Sequence, residues 1–340
     1  MSTLDGWDGW DGWDGWDGWD GWGGSRQEGG RPGARMPLAL NTLRELMVQG
    51  APPDVFAQNE DGDGWPRQQG ASALLAVSPE VRNEIVTGEL LSGLIVSGTP
   101  SNVLLHRWVG SGNELQAPND LTCLGEVEAP KVATLKGELK QVETAALNRP
   151  ARSPEILAQL SFNPALWANI LPLNERTTPR TLDVLLAGVA FASHILQRVK
   201  LIINLPRPNE LSPRIQPMIP TPGFSTYPMG HATEAYLLKD LLLGILDDAL
   251  PEKKSQWQKK WREDVETMAL RLAERISYNR VVAGIHFPKD EDGGKKLAGL
   301  LWNYVKERRG SSTEANATCS AANSFAFLWW QAVDEWKQKP

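Results

Sequence analysis

Cysteine is scarce in this chain, and its scarcity excludes two classes of architecture. Only Cys123 and Cys319 occur in 340 residues, which is too few for a disulfide framework or a cysteine-ligated metal site. An excess of positive charge is also missing, because 41 acidic residues outnumber 35 basic ones and the net charge is −6. Since a nucleic-acid-binding domain usually carries a basic face, we expect no nucleic-acid partner.

Long hydrophobic runs are missing as well. The most apolar window, residues 185–203, falls short of the roughly 18 uninterrupted apolar residues that a bilayer span requires. The first 35 residues show no basic region followed by an apolar core, the pattern of a signal peptide. We therefore expect a soluble, cytoplasmic protein that does not span a membrane. Four polar side chains interrupt the apolar window: His194, Gln197, Arg198 and Lys200.

The N-terminal region is a tandem repeat. Residues 5–22 are six consecutive Asp-Gly-Trp triplets, followed by a glycine-rich stretch to Arg35. Because Gly and Asp disfavour the interiors of both helices and strands, residues 1–35 are predicted to be a disordered arm. Two interpretations stay open for this arm: a passive low-complexity tail, or a segment whose Trp side chains bind a partner.

The rest of the chain is predicted to be an all-α helical bundle, residues 130–340, preceded by a mixed or helical extension, residues 36–129, packed on it. From residue 130 onward apolar residues recur at helical spacing and prolines separate the runs. Ser153 and Pro154 read as an N-cap and first helical residue, and Pro164 is expected to kink or split its run. The last, aromatic run is expected to pack on the body, with a contact between copies of the chain as the alternative. The predicted helices cover residues 130–148, 153–170, 179–203, 232–249, 254–279, 290–308 and 324–337.

Three short segments collect residue types suited to binding a tetrahedral oxyanion. The first, residues 200–208, has Lys200 and Arg207 at the end of a predicted helix. Two cations seven residues apart at a helix end can converge on one site. The planar guanidinium of Arg matches an oxyanion well.

The second segment, residues 227–233, lies where a proline-rich loop enters a helix. Backbone amides at a helix N-terminus form a ready anion site. Gly230 lets a ligand approach the backbone closely, and His231 follows it directly.

The third segment, residues 280–290, adds a cation, an imidazole and a carboxylate. Arg280 begins it, His286 follows six residues later, and Asp290 lies four residues beyond the histidine. A carboxylate at that spacing could accept a hydrogen bond from the imidazole and fix its tautomer.

Together the segments match the tripartite signature Lys-x6-Arg-Pro, Pro-Ser-Gly-His and Ser-Arg-x5-His-x3-Asp. The chain thus resembles the superfamily that unites type 2 phosphatidic acid phosphatases, bacterial non-specific acid phosphatases and vanadium-dependent haloperoxidases, over about residues 180–305. The resemblance implies a helical bundle whose core binds phosphate or the isosteric vanadate, and it makes residues 130–340 the catalytic domain. It also implies that the oxyanion is bound by Lys200, Arg207, Arg280 and the amide of Gly230.

The two chemistries of this superfamily use nearly the same side chains. In a haloperoxidase, His286 would bond the metal of a vanadate cofactor, His231 would act as acid and base, and Lys200 would polarise bound peroxide. In a phosphatase, which needs no cofactor, His286 would form a phosphohistidine and His231 would protonate the leaving alcohol. Asp290 would orient His286.

Two positions depart from the signature. Met229 stands where the family has a serine whose hydroxyl donates to the oxyanion, and a thioether cannot donate. Losing a hydrogen bond to a charged group could cost about 1.5–3 kcal/mol of anion binding. Asn279 replaces the serine before Arg280, a milder change because Asn still forms hydrogen bonds.

The leading hypothesis is a vanadate-dependent haloperoxidase whose substrates are hydrogen peroxide and halide. Phe224 supports it, since haloperoxidases carry an aromatic residue or histidine near the halide, seven residues before the acid–base histidine. The alternative is a phosphatase acting on phosphomonoesters or diphosphates. A second alternative, motivated by Met229, is a non-catalytic oxyanion-binding or scaffold protein. A homo-oligomer is compatible with each.

Overall fold

The computed structural model describes residues 71–108, 121–161, 163–251, 253–311 and 323–337. The predicted arm, residues 1–35, lies outside these ranges, as does the first part of the predicted extension up to residue 70.

Most of the described residues are helical, as the spacing of apolar residues predicts. The proline loop, residues 204–229, separates α6 from α8 and contains only the short α7. A 3-10 turn, Ala146–Asn148, joins α3 to α4. The helices are α1 Ala71–Ala76, α2 Pro79–Ser92, α3 Val132–Ala145, α4 Arg149–Ala158, α5 Pro164–Ala168, α6 Pro179–Ile203, α7 Pro208–Leu211, α8 Gly230–Ala249, α9 Gln256–Val282, α10 Pro288–Arg308 and α11 Ser324–Asp334.

A small antiparallel sheet interrupts the helical architecture, and the all-α prediction did not contain it. Its strands are β1 Leu94–Thr99, β2 Asn102–Trp108 and β3 Leu121–Glu128, in the order β1-β2-β3. Gly125 has a φ of 147°, and a Cβ there would lie 2.6 Å from Leu300 Cδ2. Glycine therefore allows β3 to pack closely against α10.

The centre of the bundle is α8, which packs against α6, α9 and α10. α6 is buried on nearly every side, which explains why most of its residues are apolar. The segment Pro179–Leu211 is long and apolar enough to cross a membrane by length and composition, but 67% of its most apolar window is buried inside the protein. Cytoplasmic location remains a prediction. The aromatic helix α11 packs on α6, and Trp329 is fully buried.

The predicted helix start at Ser153 is wrong. α4 begins four residues earlier, with Pro150 in its first turn. The Ser153 hydroxyl donates to the carbonyl of Arg149 at 2.5 Å, so it bonds backward within the helix instead of capping it. The expected break at Pro164 is confirmed: α4 ends before it, and Asn163 caps α5 by accepting from the amide of Ala165 at 3.0 Å.

Candidate functional site

The three predicted motif segments meet at one cavity in the helical bundle. Its volume is about 110 Å³, which is enough for several waters because a cavity needs about 10–15 Å³ to hold one. Apolar side chains, including Trp167 and Leu238, form much of its wall. Its charged or titratable lining residues are Lys200, Arg207, His231, Glu234, Arg280 and His286.

Lys200 fastens the end of α6 to the proline loop. Asn204 follows α6 as its C-cap. It adopts a left-handed conformation with φ 49° and donates its amide to the carbonyl of Lys200. The Lys200 ammonium is 1% exposed and donates to the carbonyl of Ser225 at 2.6 Å. Burial, reinforced by the charge of Arg207, lowers the pKa of Lys200 well below its usual value.

Arg207 is also held by backbone carbonyls. Its Nε donates to the carbonyl of Phe224 at 3.0 Å and its Nη1 to that of Ile285 at 2.9 Å. The same Nη1 lies 3.2 Å from His286 Nε2. Burial lowers the pKa of Arg207 to about 10, so the guanidinium remains charged at neutral pH.

Arg280 differs from the other two cations. It is fully buried near the end of α9. Its Nη2 donates to the carbonyl of Ile156 at 3.0 Å and to Gln159 Oε1 at 3.1 Å. Its Nε and Nη1 are buried and have no hydrogen-bond partner among the described residues. Burial lowers its pKa to about 10, so Arg280 carries a buried positive charge at neutral pH with two nitrogen donors that no described residue satisfies.

His286 lines the cavity with Nδ1 bonded to Asp290 and Nε2 in contact with Arg207. Asp290 Oδ2 lies 2.8 Å from His286 Nδ1 and accepts from Thr226 Oγ1 at 2.5 Å and the amide of Phe287 at 2.9 Å. Because a guanidinium only donates, the contact from Arg207 Nη1 requires a lone pair on His286 Nε2. The arrangement therefore favours the tautomer with its proton on Nδ1.

The same surroundings keep His286 neutral. Burial, and then the charges of Arg207 and Lys200, lower the pKa of its imidazole well below the usual value. Burial raises the pKa of the Asp290 carboxyl, against the opposing effect of its hydrogen bond from Thr226. The Nε2 lone pair accepts from Arg207, so it could act as a nucleophile or as a ligand only after that contact is broken.

His231 begins the first turn of α8 on the cavity wall. Its Nε2 lies 2.8 Å from the carbonyl oxygen of Gln159 and therefore donates to it. Burial and the charge of Arg280 lower the pKa of His231 to about 3. His231 is thus neutral near pH 7, and an anion bound in the cavity would raise its pKa by offsetting the cations.

The remaining motif positions fall into two groups. Gly230 lines the cavity as the first residue of α8, and a Cβ there would come within 3.0 Å of Leu196. Met229 is fully buried but is not one of the described residues that line the cavity. Asn279 donates to Gln159 Oε1 at 2.9 Å and accepts from Arg152 at 3.2 Å. Both departures from the signature therefore lie behind the cavity surface.

Phe224 lies close to two cations, Lys200 near the end of α6 and Arg207 in the proline loop. Its ring centroid is 4.8 Å from Lys200 Nζ and 5.2 Å from Arg207 Cζ, distances at which an aromatic face attracts a cation. The ring also lines the cavity. Phe224 thus lies in the same cavity as the motif cations, and its role in a halide pocket stays a prediction.

Sequence reasoning missed two polar residues at this site. Gln159, just after α4, binds Arg280 through its side chain and His231 through its carbonyl. Nothing in its local sequence marks it, because its partners are more than 70 residues away. Glu234 lines the cavity on α8, and its position three residues after His231, on the same face of the helix, was a usable signal.

The donors at this cavity are of the kind that bind an anion. The described residues contain no group of three or more His, Cys, Asp or Glu side chains able to hold a metal ion. The two unpartnered guanidinium nitrogens of Arg280 could donate to a tetrahedral anion. No family model matches the chain, and no curated protein matches it.

Proposed function

We propose that the protein is a vanadate-dependent haloperoxidase-like enzyme that oxidises halide with hydrogen peroxide. The observation that carries this proposal is the pair of unpartnered donors on buried Arg280, in the same cavity as the Nε2 lone pair of His286. A buried charge with unmade hydrogen bonds is costly. A tetrahedral oxyanion would satisfy both donors.

The chain's own residues would hold vanadate in this cavity. His286 Nε2 would be its nitrogen ligand, and Arg280 and Arg207 would neutralise its charge. When bound, vanadate would activate hydrogen peroxide for attack by halide. Asp290 keeps the proton of His286 on Nδ1, so the bonding nitrogen needs no prior deprotonation.

Two further side chains would serve the oxidation. His231, whose pKa rises once an anion occupies the site, would hold and release the proton that the reaction needs. Phe224 forms an apolar surface beside Lys200 and Arg207. A weakly hydrated halide such as bromide would be attracted by these two cations beside the positive edge of the ring, since the face of an aromatic ring is negative.

Phosphoester hydrolysis is the second candidate, and the tautomer of His286 favours it. The Nε2 lone pair would attack phosphorus while the bond to the leaving oxygen breaks, and His231 in its protonated form would give that oxygen a proton. Water would then attack phosphorus while its bond to Nε2 breaks, and the now neutral His231 would take the proton that the water loses, which releases phosphate and restores His286. This route uses the same cations to stabilise charge on the phosphoryl oxygens.

A paired assay on phosphate-free protein separates the two candidates. One arm contains orthovanadate, bromide, hydrogen peroxide and a phenolic halogen acceptor, and the other contains p-nitrophenyl phosphate. Halogenation that needs vanadate and is lost in phosphate is the expected result. Phosphate release that vanadate inhibits would favour the phosphatase over the haloperoxidase. No activity in either arm would contradict an enzymatic role.

A further inference from the structure

Glu234 introduces a carboxyl group into a cavity built for an anion. It is on α8, three residues after His231, so the two side chains share one face of the helix. Ser193 Oγ on α6 donates to Glu234 Oε1 at 2.8 Å. Of the described residues that line the cavity, Glu234 alone carries a carboxylate, and neither proposed chemistry gives it a role.

A carboxylate and a bound oxyanion cannot easily coexist at this site. Both are negative, and in a buried environment their repulsion is weakly screened. Protonation of the carboxylate removes the repulsion and creates an O–H donor. Burial already raises the pKa of Glu234 to about 7, in spite of the opposing effects of the Ser193 hydrogen bond and of the Lys200 charge. The proton is therefore within reach near neutral pH.

We propose that Glu234 binds a proton when the cavity binds a tetrahedral oxyanion, so that anion and proton are taken up together. The inference rests on the oxyanion site of the proposed function and adds a linkage to pH. The bound anion would thus be favoured below neutral pH and weakened above it. The other charged or titratable groups facing the cavity are Lys200 from α6, Arg207 from the proline loop, His231 from α8, Arg280 from α9 and His286 before α10.

Proton uptake can be counted by calorimetry with inorganic phosphate as the ligand. The titration is repeated at one pH in two buffers that differ in ionisation enthalpy, because the heat difference reports the protons taken up. Glu234→Gln is the test variant, since its amide oxygen can still accept from Ser193. Glu263→Gln, an exposed position on α9, is the control with the same change in charge.

At pH 8 the wild-type protein and Glu263→Gln should take up about one proton more than Glu234→Gln. At pH 6, where Glu234 already holds its proton, the difference should vanish. The dissociation constant of wild type should rise by up to tenfold per pH unit above pH 7, while that of Glu234→Gln should rise less steeply.

The outcomes separate this inference from the proposed function. Phosphate binding with equal proton uptake in wild type and Glu234→Gln at pH 8 would overturn the role of Glu234 and leave the oxyanion site standing. Failure of the wild-type protein to bind phosphate or orthovanadate at all would overturn both proposals.

Discussion

The cavity has two sides that use the same residue types in different ways. On the loop side, the donors of Lys200 and Arg207 bind backbone carbonyls of the proline loop and of Ile285. On the helix side, Arg280 has two carbonyl-type acceptors for Nη2 and none for Nε and Nη1. All three cations are at most 1% exposed, so burial alone does not distinguish them.

The difference indicates a division of labour within one site. Lys200 and Arg207 order the loop that carries Phe224 and supply positive charge. Arg280 has two nitrogen donors without a partner among the described residues, so under the proposed function it is the residue whose hydrogen bonds a ligand would complete. The histidines differ as well: His286 Nε2 accepts from Arg207 on the loop side, whereas His231 Nε2 donates to the carbonyl of Gln159.

Replacement of His286 should have the largest effect on activity. His286→Ala removes the only atom proposed to bond vanadium or phosphorus, and turnover in either arm of the assay should fall at least about 1000-fold. His106→Ala on β2, away from the cavity, is the matched control. Unchanged turnover in His286→Ala would contradict the assignment of the active site.

Conservative replacement of the two arginines tests the two sides directly. Arg280→Lys should raise the dissociation constant for orthovanadate about 10- to 100-fold, because hydrogen bonds to charged groups are worth about 1.5–3 kcal/mol each. Arg207→Lys, which breaks contacts with Phe224 and Ile285, should mainly lower the melting temperature. Calorimetry and thermal unfolding measure both quantities. Equal losses of orthovanadate affinity in the two variants would contradict the different roles assigned to Arg280 and Arg207.

The buried neutral state of His231 predicts a pH dependence of stability. Its folded pKa, about 3, lies below the usual value of 6.5, so the unfolded chain binds the proton first as pH falls. The contribution of neutral His231 to the free energy of unfolding is complete above pH 6.5. Below that pH it falls by about 1 kcal/mol per pH unit. Urea unfolding of His231→Gln between pH 6.5 and 4.5 should show a correspondingly shallower decline. Parallel curves for the two proteins would contradict the buried neutral state.

Met229→Ser should have the smallest effect on oxyanion binding. Since Met229 packs behind the cavity surface, the dissociation constant for orthovanadate should stay within about twofold. Removal of a buried Met side chain should cost about 2–5 kcal/mol of stability. A marked gain in affinity would show instead that a serine hydroxyl at this position reaches the anion.

Much of this site was predictable because its chemistry is local in sequence. Each of the three motif segments is no longer than about ten residues. They contain the helix end at Lys200, the entry to α8 at Gly230 and the pair His286 and Asp290. Gln159 was not predictable, because its contacts depend on how α4 packs against α8 and α9. The β-sheet was missed for another reason: its strands are short and Gly98 and Gly125 interrupt their alternation. Met229 shows the limit of a motif, since a signature gives a residue's place in the chain and not the direction of its side chain.

Calorimetric titration of the phosphate-free protein with orthovanadate tests most directly whether Arg280 and His286 form an oxyanion site. We expect one binding site per chain, lost on addition of phosphate. Heats no larger than dilution, or binding that phosphate does not displace, would contradict it.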